Sequence, residues 1–184
     1  MLAREIMTPD PVCATPADSV QKIARMMLDR HCGAIPVVQS GRSKFLVGIV
    51  TDRDLALRVI AQAKPPDTPV EEVMSAGVSC CLPDSRVEDV EQIMMQRQVR
   101  RVPVVDTTGA CLGIIALGDI ARAAATGETI RDSEVGQIVE YVSVPTEAAR
   151  SDADVGVLPE RLRSAYRSAE SWPEGSRAPR EMRP

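Results

Sequence analysis

The chain has 184 residues, of which 44% are hydrophobic and 26% are charged, proportions typical of a folded globular protein. This composition excludes a collagen-like or coiled-coil rod and a wholly disordered chain. Only 2% of the residues are aromatic and the formal net charge is −4, so the sequence offers neither stacking platforms nor a basic surface for nucleic acid. We therefore expect no nucleic-acid partner.

The sequence contains no run of 18 apolar residues, and its first residues lack the apolar stretch of a secretory signal. We expect a cytoplasmic protein without membrane contact. The five cysteines form no CxxC pair and His31 is the single histidine, so we predict no metal site and reduced, mostly buried thiols. Cys80 and Cys81 are a candidate redox or soft-metal pair, although two small neighbours on a strand are the simpler interpretation.

The chain is a duplicated unit. GAIPVV at 33–38 aligns with RRVPVV at 100–105, an offset of 67, and GIVTDRDLA aligns with GIIALGDIA at an offset of 65. Five further pairs keep the first offset: Met7 and Met74, Cys13 and Cys80, Pro16 and Pro83, Val20 and Val87, and Met27 and Met94. The two extra residues of the first copy fall in the turn QSGRSK, where a surface loop tolerates insertion.

In chain order, each copy is predicted to form a strand, a helix, two strands and a helix. The first helix follows Pro16, with apolar residues at helical spacing from Val20 and with Asp18 or Ser19 as its cap. The same stripe returns from Val87, after Asp84 and Ser85. Short β-branched runs predict hairpins at 35–38 with 45–50 and at 102–105 with 112–116. Second helices are expected at 52–63 and 118–125.

These elements predict a mixed α/β (α+β) fold. Each copy leaves one apolar sheet face that its own helices cannot cover, so we expect the copies to pack with pseudo-two-fold symmetry. The predicted organisation is repeat 1 at 1–63, a proline-rich linker at 64–69, repeat 2 at 70–126, a docking helix at 127–144 and a charged, proline-containing tail at 145–184. The composition of the tail predicts a mobile segment.

The doubled pattern h-x-x-h-P followed by G-h-h-[ST]-x-x-D-h resembles the cystathionine-β-synthase (CBS) domain. Two copies in tandem resemble the CBS pair, or Bateman module. The resemblance covers residues 1 to about 125. The segments HCGAIPVV with GIVTDRDL and RQVRRVPVV with GIIALGDIA are similar to small stand-alone bacterial CBS-pair proteins, including the hypoxic response protein type.

The resemblance implies a regulatory homodimer without an obligatory cofactor. Such pairs bind an adenosine-containing ligand (AMP, ADP, ATP or S-adenosylmethionine) in clefts between the repeats and pass the occupancy to a partner protein. The family's aspartate that holds the ribose corresponds to Asp54 in the first copy and Asp119 in the second. The family's serine or threonine corresponds to Thr51. The family's base-lining strand falls on Gly33, Ala34, Ile35 and Pro36 in the first copy and on Arg100, Arg101, Val102 and Pro103 in the second.

The chemistry of these residue types agrees with that assignment. A carboxylate only accepts hydrogen bonds, so Asp54 or Asp119 can take both hydroxyls of a ribose. Guanidinium groups bind phosphate, and the candidates are Arg53, Arg100, Arg101 and Arg122. Because neighbouring strand residues point to opposite faces, we expect only one of Arg100 and Arg101 to face the cleft.

A structural interpretation of the same motif stays open. Thr51-x-x-Asp54 is also the pattern of a helix capping box. The second copy has Ala116 in place of the hydroxyl, so a cleft that uses this position should bind weakly or be empty. The competing function is a ligand-free dimerisation and interaction module, and a weaker one is redox or metal sensing by the cysteines and His31. No nucleophile motif or P-loop occurs, so we predict that the chain is not an enzyme.

Overall fold

A computed structural model describes residues 1–125 and 132–143. The predicted tail at 145–184 lies outside the described residues. The first repeat contains α1 (Ala3–Ile6), β1 (Thr8–Pro9), α2 (Val20–Arg30), β2 (Ala34–Val38), β3 (Leu46–Thr51) and α3 (Asp52–Asp54), which continues as a π-helix (Leu55–Ile60). A 3₁₀ helix (Val70–Glu72), β4 (Ser75–Ala76), α4 (Val87–Arg97), β5 (Arg101–Val105), β6 (Cys111–Ala116), α5 (Leu117–Ala125) and α6 (Asp132–Ser143) follow. The predicted mixed fold of two similar repeats is confirmed.

The long helix of each repeat begins and ends in a similar way. Ser19 caps α2 by accepting from the amide of Lys22 at 3.2 Å. In α4 the cap differs from the expected one, because Ser85 accepts from the amide of Leu82 and Asp89 accepts from the amide of Arg86. Both helices end on a left-handed residue, His31 in α2 and Gln98 in α4. That conformation ends the helix and directs the chain into the next strand.

The second helix of the first repeat differs from its predicted form. It ends at Ile60, short of the expected residue 63, and is a π-helix from Leu55. The Arg58 guanidinium on this π-helix donates to the carbonyls of Val73 and Met74 at 2.8 and 3.0 Å. The side chain of Arg58 therefore ties this helix to the segment that follows the linker.

The leading strands of the two repeats are exchanged. β1 pairs antiparallel with β6 of the second repeat, and β4 pairs antiparallel with β3 of the first repeat, giving the sheets β1-β6-β5 and β2-β3-β4. The side chain of Met7 lies over Gly113, and that of Met74 lies over Gly48. A glycine at each of these strand positions leaves space for a methionine from the other repeat. The sequence alone placed each leading strand with its own repeat.

Apolar side chains form three clusters. One lies on the sheet of the second repeat and includes Ala3, and another lies on the sheet of the first repeat and includes Val70 and Val73. The third lies between the repeats and contains Val38, Leu46, Cys80, Leu82, Val105 and Cys111, with Cys13 and Val78 packed against them. Each sheet therefore has its own core, and the third cluster is the interface.

The two sheets also meet through their hairpins, on the pseudo-two-fold axis. Phe45 and Ala110 form an isolated antiparallel bridge. On either side of it, the amide of Leu46 donates to the carbonyl of Gly109 at 3.0 Å, and the amide of Cys111 donates to that of Lys44 at 2.8 Å. Gly109 has a φ of +86°, and the Phe45 ring occupies the space that a side chain on it would need.

The helix α6 packs against α4 and α5. Its residue Ile138 is 2% exposed and belongs to the core of the second repeat. The corresponding helices of the first repeat expose Leu28 by 71% and Ile60 by 76%. The covering helix therefore makes the pair asymmetric. In the described part of the chain, no helix combines the length and the apolar character needed to cross a bilayer.

Candidate functional site

The sheet pairing brings the two motifs of each repeat to one place. In the first repeat Ala34 lies opposite Thr51, and the amide of Asp52 donates to the carbonyl of Gly33 at 3.1 Å. The start of the h-x-x-h-P strand and the N-terminus of the [ST]-x-x-D helix therefore meet at the same end of the sheet. The second repeat repeats the arrangement, with Arg101 opposite Ala116 and the amide of Leu117 donating to the carbonyl of Arg100 at 3.0 Å.

Thr51 and Asp54 form a complete capping box. Oδ2 of Asp54 accepts from the amide of Thr51 at 2.8 Å and from its hydroxyl at 2.6 Å, and the amide of Asp54 donates to the Thr51 Oγ1 at 3.2 Å. The other carboxylate oxygen, Oδ1, lies 3.5 Å from Nε of Arg58. The structural interpretation of this motif is thus observed. Oδ1 is the oxygen that the box leaves for another donor.

Asp119 keeps half of this arrangement. Its Oδ2 accepts from the amide of Ala116 at 2.6 Å, although Ala116 has no hydroxyl to contribute. Its Oδ1 pairs with the guanidinium of Arg122, and the residue is 8% exposed. Arg122, a candidate for phosphate, is therefore engaged by a carboxylate of its own helix, and Asp119 accepts a hydrogen bond through each of its oxygens.

Arg101 crosses from the second repeat to the motif of the first. A β-carbon built on Gly33 would lie 3.7 Å from Nη2 of Arg101 and 2.8 Å from Oδ2 of Asp52. Nη1 of Arg101 donates to the carbonyl of Arg100 at 3.2 Å. Of the two neighbouring arginines, Arg101 is the one whose side chain the structure places against the first motif. The other arginines near the motifs, Arg53 and Arg100, are exposed.

Asp52 was absent from the residues selected by sequence. Its equivalent in the second copy is Leu117, so the repeat comparison gave no reason to select it. The signal in the sequence is a second acid, besides Asp54, in the first turn of the helix.

The strand residues of the motifs are mostly core residues. Ile35 and Val102 are fully buried in the two sheet cores, and Ala34 is also buried. The carbonyls of Pro36 and Pro103 accept from the amides of Ala14 and Cys81. Any contribution of Ile35 or Val102 to a ligand therefore has to come from the main chain.

The adjacent Cys80 and Cys81 belong to different cores. Cys80 lies in the cluster between the repeats, whereas Cys81 lies in the core of the second repeat. Their side chains point to opposite sides of the backbone, as expected for neighbours in an extended segment. Among residues 1–125 and 132–143, no three His, Cys, Asp or Glu side chains are grouped so that they could hold a metal ion.

The CBS domain profile matches the sequence twice, at residues 3–61 and 66–126. The chain belongs to the CBS domain family. The predicted CBS pair is therefore confirmed, and the two matched segments contain both copies of the motif described above.

Individual relatives agree with this assignment. CBS domain-containing protein YhcV of Bacillus subtilis (strain 168) is 42% identical over 118 residues, which are 64% of this chain and 81% of YhcV. The CBS pair of protein MJ0100, in complex with 5′-methylthioadenosine and S-adenosyl-L-methionine, has a TM-score of 0.63 and 28% identity over 70% of this chain and 98% of that one. Hypoxic Response Protein I, with two coordinated zinc ions, has a TM-score of 0.60 and 28% identity over 66% of this chain and 98% of that one.

Proposed function

We propose that this CBS pair is a non-enzymatic sensor that binds an adenosine-containing ligand at the first-repeat motif. The observation that carries the proposal is the approach of Arg101, from the second repeat, to the Gly33 and Asp52 end of the Thr51–Asp54 motif. The MJ0100 pair, which shares this fold, has been solved with two adenosyl compounds. The adenosyl ligands of that related pair support an adenosyl ligand for this chain.

The Asp54 carboxylate is suited to hold the ribose. Its Oδ2 is engaged by the two donors of Thr51, while Oδ1 has, among the residues that the structure describes, only the Arg58 guanidinium at 3.5 Å. A carboxylate has about four lone-pair sites, so Oδ1 can also accept from ribose hydroxyls. The capping box then holds the acid in position for the ligand, and the structural and functional interpretations of the motif apply together.

Arg101 and Asp52 would face the other end of the ligand. A guanidinium binds a phosphate or a carboxylate group, and the Asp52 carboxylate favours a positively charged group such as a sulfonium or an amine. S-adenosylmethionine carries both kinds of charge, whereas AMP offers only the phosphate. The arrangement therefore favours S-adenosylmethionine over AMP, and the second motif, where Arg122 occupies Asp119, is the weaker site.

A ligand that contacts both repeats binds their closed arrangement more tightly, so occupancy shifts the packing between repeats. We propose that a partner protein reads this change, and that the protein is a cytoplasmic homodimer. The exposed Leu28 and Ile60 support dimerisation through the first repeat, because α6 already covers the corresponding helices of the second.

Thermal unfolding of the full chain with AMP, ADP, ATP and S-adenosylmethionine tests the proposal. A ligand at about 100 times its dissociation constant adds about 2.7 kcal/mol to the free energy of unfolding. Asp54→Asn retains an oxygen that can accept from the Thr51 amide but changes the group offered to ribose, so we expect it to abolish the shift. Asp119→Asn is the matched control and should retain it.

Two results would count against this function. If Asp54→Asn and Asp119→Asn reduce the ligand shift equally, the ligand does not depend on the first motif. If no adenosyl compound stabilises the wild-type protein, the competing function of a ligand-free interaction module is favoured, and Thr51 and Asp54 act only as a helix cap.

A further inference from the structure

Two cysteines from different repeats meet at the repeat interface. Cys13 precedes α2 in the first repeat and Cys111 begins β6 in the second, and the amide of Asp10 donates to the carbonyl of Leu112 at 2.9 Å beside them. Each thiol donates to a main-chain carbonyl of its own segment. Both belong to the cluster between the repeats. Cys111 is buried, with 1% of its surface exposed, whereas Cys13 is partly exposed. A partly exposed cysteine therefore packs against the cluster that contains a buried one.

The charges around the two thiols distinguish them. The neighbouring Cys111 thiol lowers the pKa of Cys13, burial opposes this effect, the Lys44 ammonium lowers the pKa further and the Asp10 carboxylate raises it. The neighbouring Cys13 thiol and burial both raise the pKa of Cys111. Lys44 is held near the pair by its ion pair with Asp10. The negative charge of a thiolate is therefore favoured on Cys13, which solvent can reach.

We propose that Cys13 and Cys111 form a reversible disulfide that joins the two repeats when the protein meets a hydroperoxide. The Cys13 thiolate attacks one oxygen of hydrogen peroxide, the O–O bond breaks and hydroxide leaves, which gives a sulfenic acid on Cys13. The Cys111 sulfur then attacks the Cys13 sulfur and the S–O bond breaks. The proton of the Cys111 thiol joins the departing hydroxide, which leaves as water. Two thiols are oxidised and one peroxide is reduced to two waters. A dithiol such as dithiothreitol reverses the reaction by becoming a cyclic disulfide.

The duplication supplies an internal control for this pair. The repeat offsets place Cys80 where Cys13 lies and Leu46 where Cys111 lies. Cys80 and Leu46 belong to the same central cluster and are fully buried, so the equivalent position across the pseudo-two-fold axis holds one cysteine and one leucine. The dithiol exists on one side of the interface only.

Mass spectrometry of the full chain after treatment with hydrogen peroxide tests this proposal. We expect the free thiols to fall from five to three and a peptide map to contain one Cys13–Cys111 cross-link, which dithiothreitol removes. Cys80→Ser should give the same result as the wild type, whereas Cys13→Ser should retain all four of its thiols. Cys111→Ser should stop at a sulfenic acid on Cys13 that dimedone labels.

The wild-type peptide map decides the question even if a buried variant does not fold. A cross-link between other cysteines or between two chains would overturn the proposal, and so would thiol loss in Cys13→Ser equal to that of the wild type. The gain-of-function variant Leu46→Cys places a second cysteine against Cys80. Because the positions equivalent to Asp10 and Lys44 in the second copy are Gly77 and Gly109, this pair should oxidise more slowly than Cys13 and Cys111. An equal rate would show that the charges play no part.

Discussion

The guanidinium of Arg101 in the second repeat lies against Gly33 of the first repeat, 3.7 Å from the position that a β-carbon on Gly33 would take. Oδ2 of Asp52 lies 2.8 Å from the same position. The first motif therefore combines a carboxylate from the first repeat with a guanidinium from the second. The space above Gly33 exists because this residue has no side chain.

Gly33→Ala is expected to weaken ligand binding while the fold is retained. The new methyl group would displace the carboxylate of Asp52, which is exposed and can move at little cost. We expect the affinity for the stabilising adenosyl compound to fall about tenfold, equal to about 1.4 kcal/mol, as measured by titration calorimetry. Gly41→Ala is the matched control, because nothing lies within 4 Å of its added β-carbon. Equal affinities in the two variants would contradict the placement of the ligand.

The two capping motifs predict opposite changes in stability. Thr51→Ala removes the hydroxyl that accepts from the amide of Asp54, and it should lower the free energy of unfolding by about 1 kcal/mol. Ala116→Thr supplies the missing hydroxyl beside Asp119 and should raise it by about 0.5 to 1 kcal/mol. Urea unfolding measures both changes. A loss of stability in Ala116→Thr would show that the second repeat has no space for the complete box.

The buried thiol of Cys81 predicts a dependence of stability on alkaline pH. Burial, together with the neighbouring Cys80, raises the pKa of Cys81 to about 12, whereas an unfolded thiol titrates near pH 8.5. The folded state keeps a proton that the unfolded state loses. Its stabilisation is therefore complete below about pH 8.5 and disappears as the pH rises towards 12.

Cys81→Ala should consequently make the free energy of unfolding less dependent on pH above about pH 8.5, as measured by urea unfolding at several pH values. The partly exposed Cys32 provides the control variant, Cys32→Ala, which should keep the slope of the wild type. Identical slopes in the wild type and Cys81→Ala would contradict the predicted protection of this thiol.

The exposed face of the first repeat predicts the effect of a charge on assembly. Ile60→Lys should convert the proposed homodimer to a monomer, because Ile60 is 76% exposed on a helix that no other described element covers as α6 covers α5. Light scattering after size exclusion measures the mass. Val139→Lys changes an exposed apolar residue of α6 instead, and should leave the dimer intact. A dimer that survives Ile60→Lys but not Val139→Lys would place the interface on the second repeat.

The sequence was sufficient to predict what depends on local pattern and on duplication. The short β-branched runs located both hairpins to within about one residue, because β-branched residues favour strands that are largely buried. The offset between the copies identified Asp54 and Asp119 as equivalent positions and Thr51 and Ala116 as another pair, and both acids lie in the first turn of a helix as expected. These features are set by neighbours in sequence or by identity between copies.

Contacts between unlike residues of the two copies could not be predicted in this way. Aligning the copies relates Arg101 to Ala34 and Cys111 to Leu46, but the structure places Arg101 against Gly33 and Cys111 against Cys13. Such contacts depend on how the repeats pack. The sequence suggests Cys80 and Cys81 as a pair because they are neighbours in the chain. It gives no sign that Cys13 and Cys111 approach each other across the repeat interface.

The exchange of β1 and β4 has a consequence for the origin of the fold. A single repeat cut at the linker would leave one sheet edge open, at β3 or at β6, and would carry a leading strand that fits the edge of another copy. Two identical halves would cover both open sheet edges by exchanging their leading strands. The present chain has the strand exchange that two such halves would keep if they were joined into one chain, with Lys64 and the prolines after it at the join.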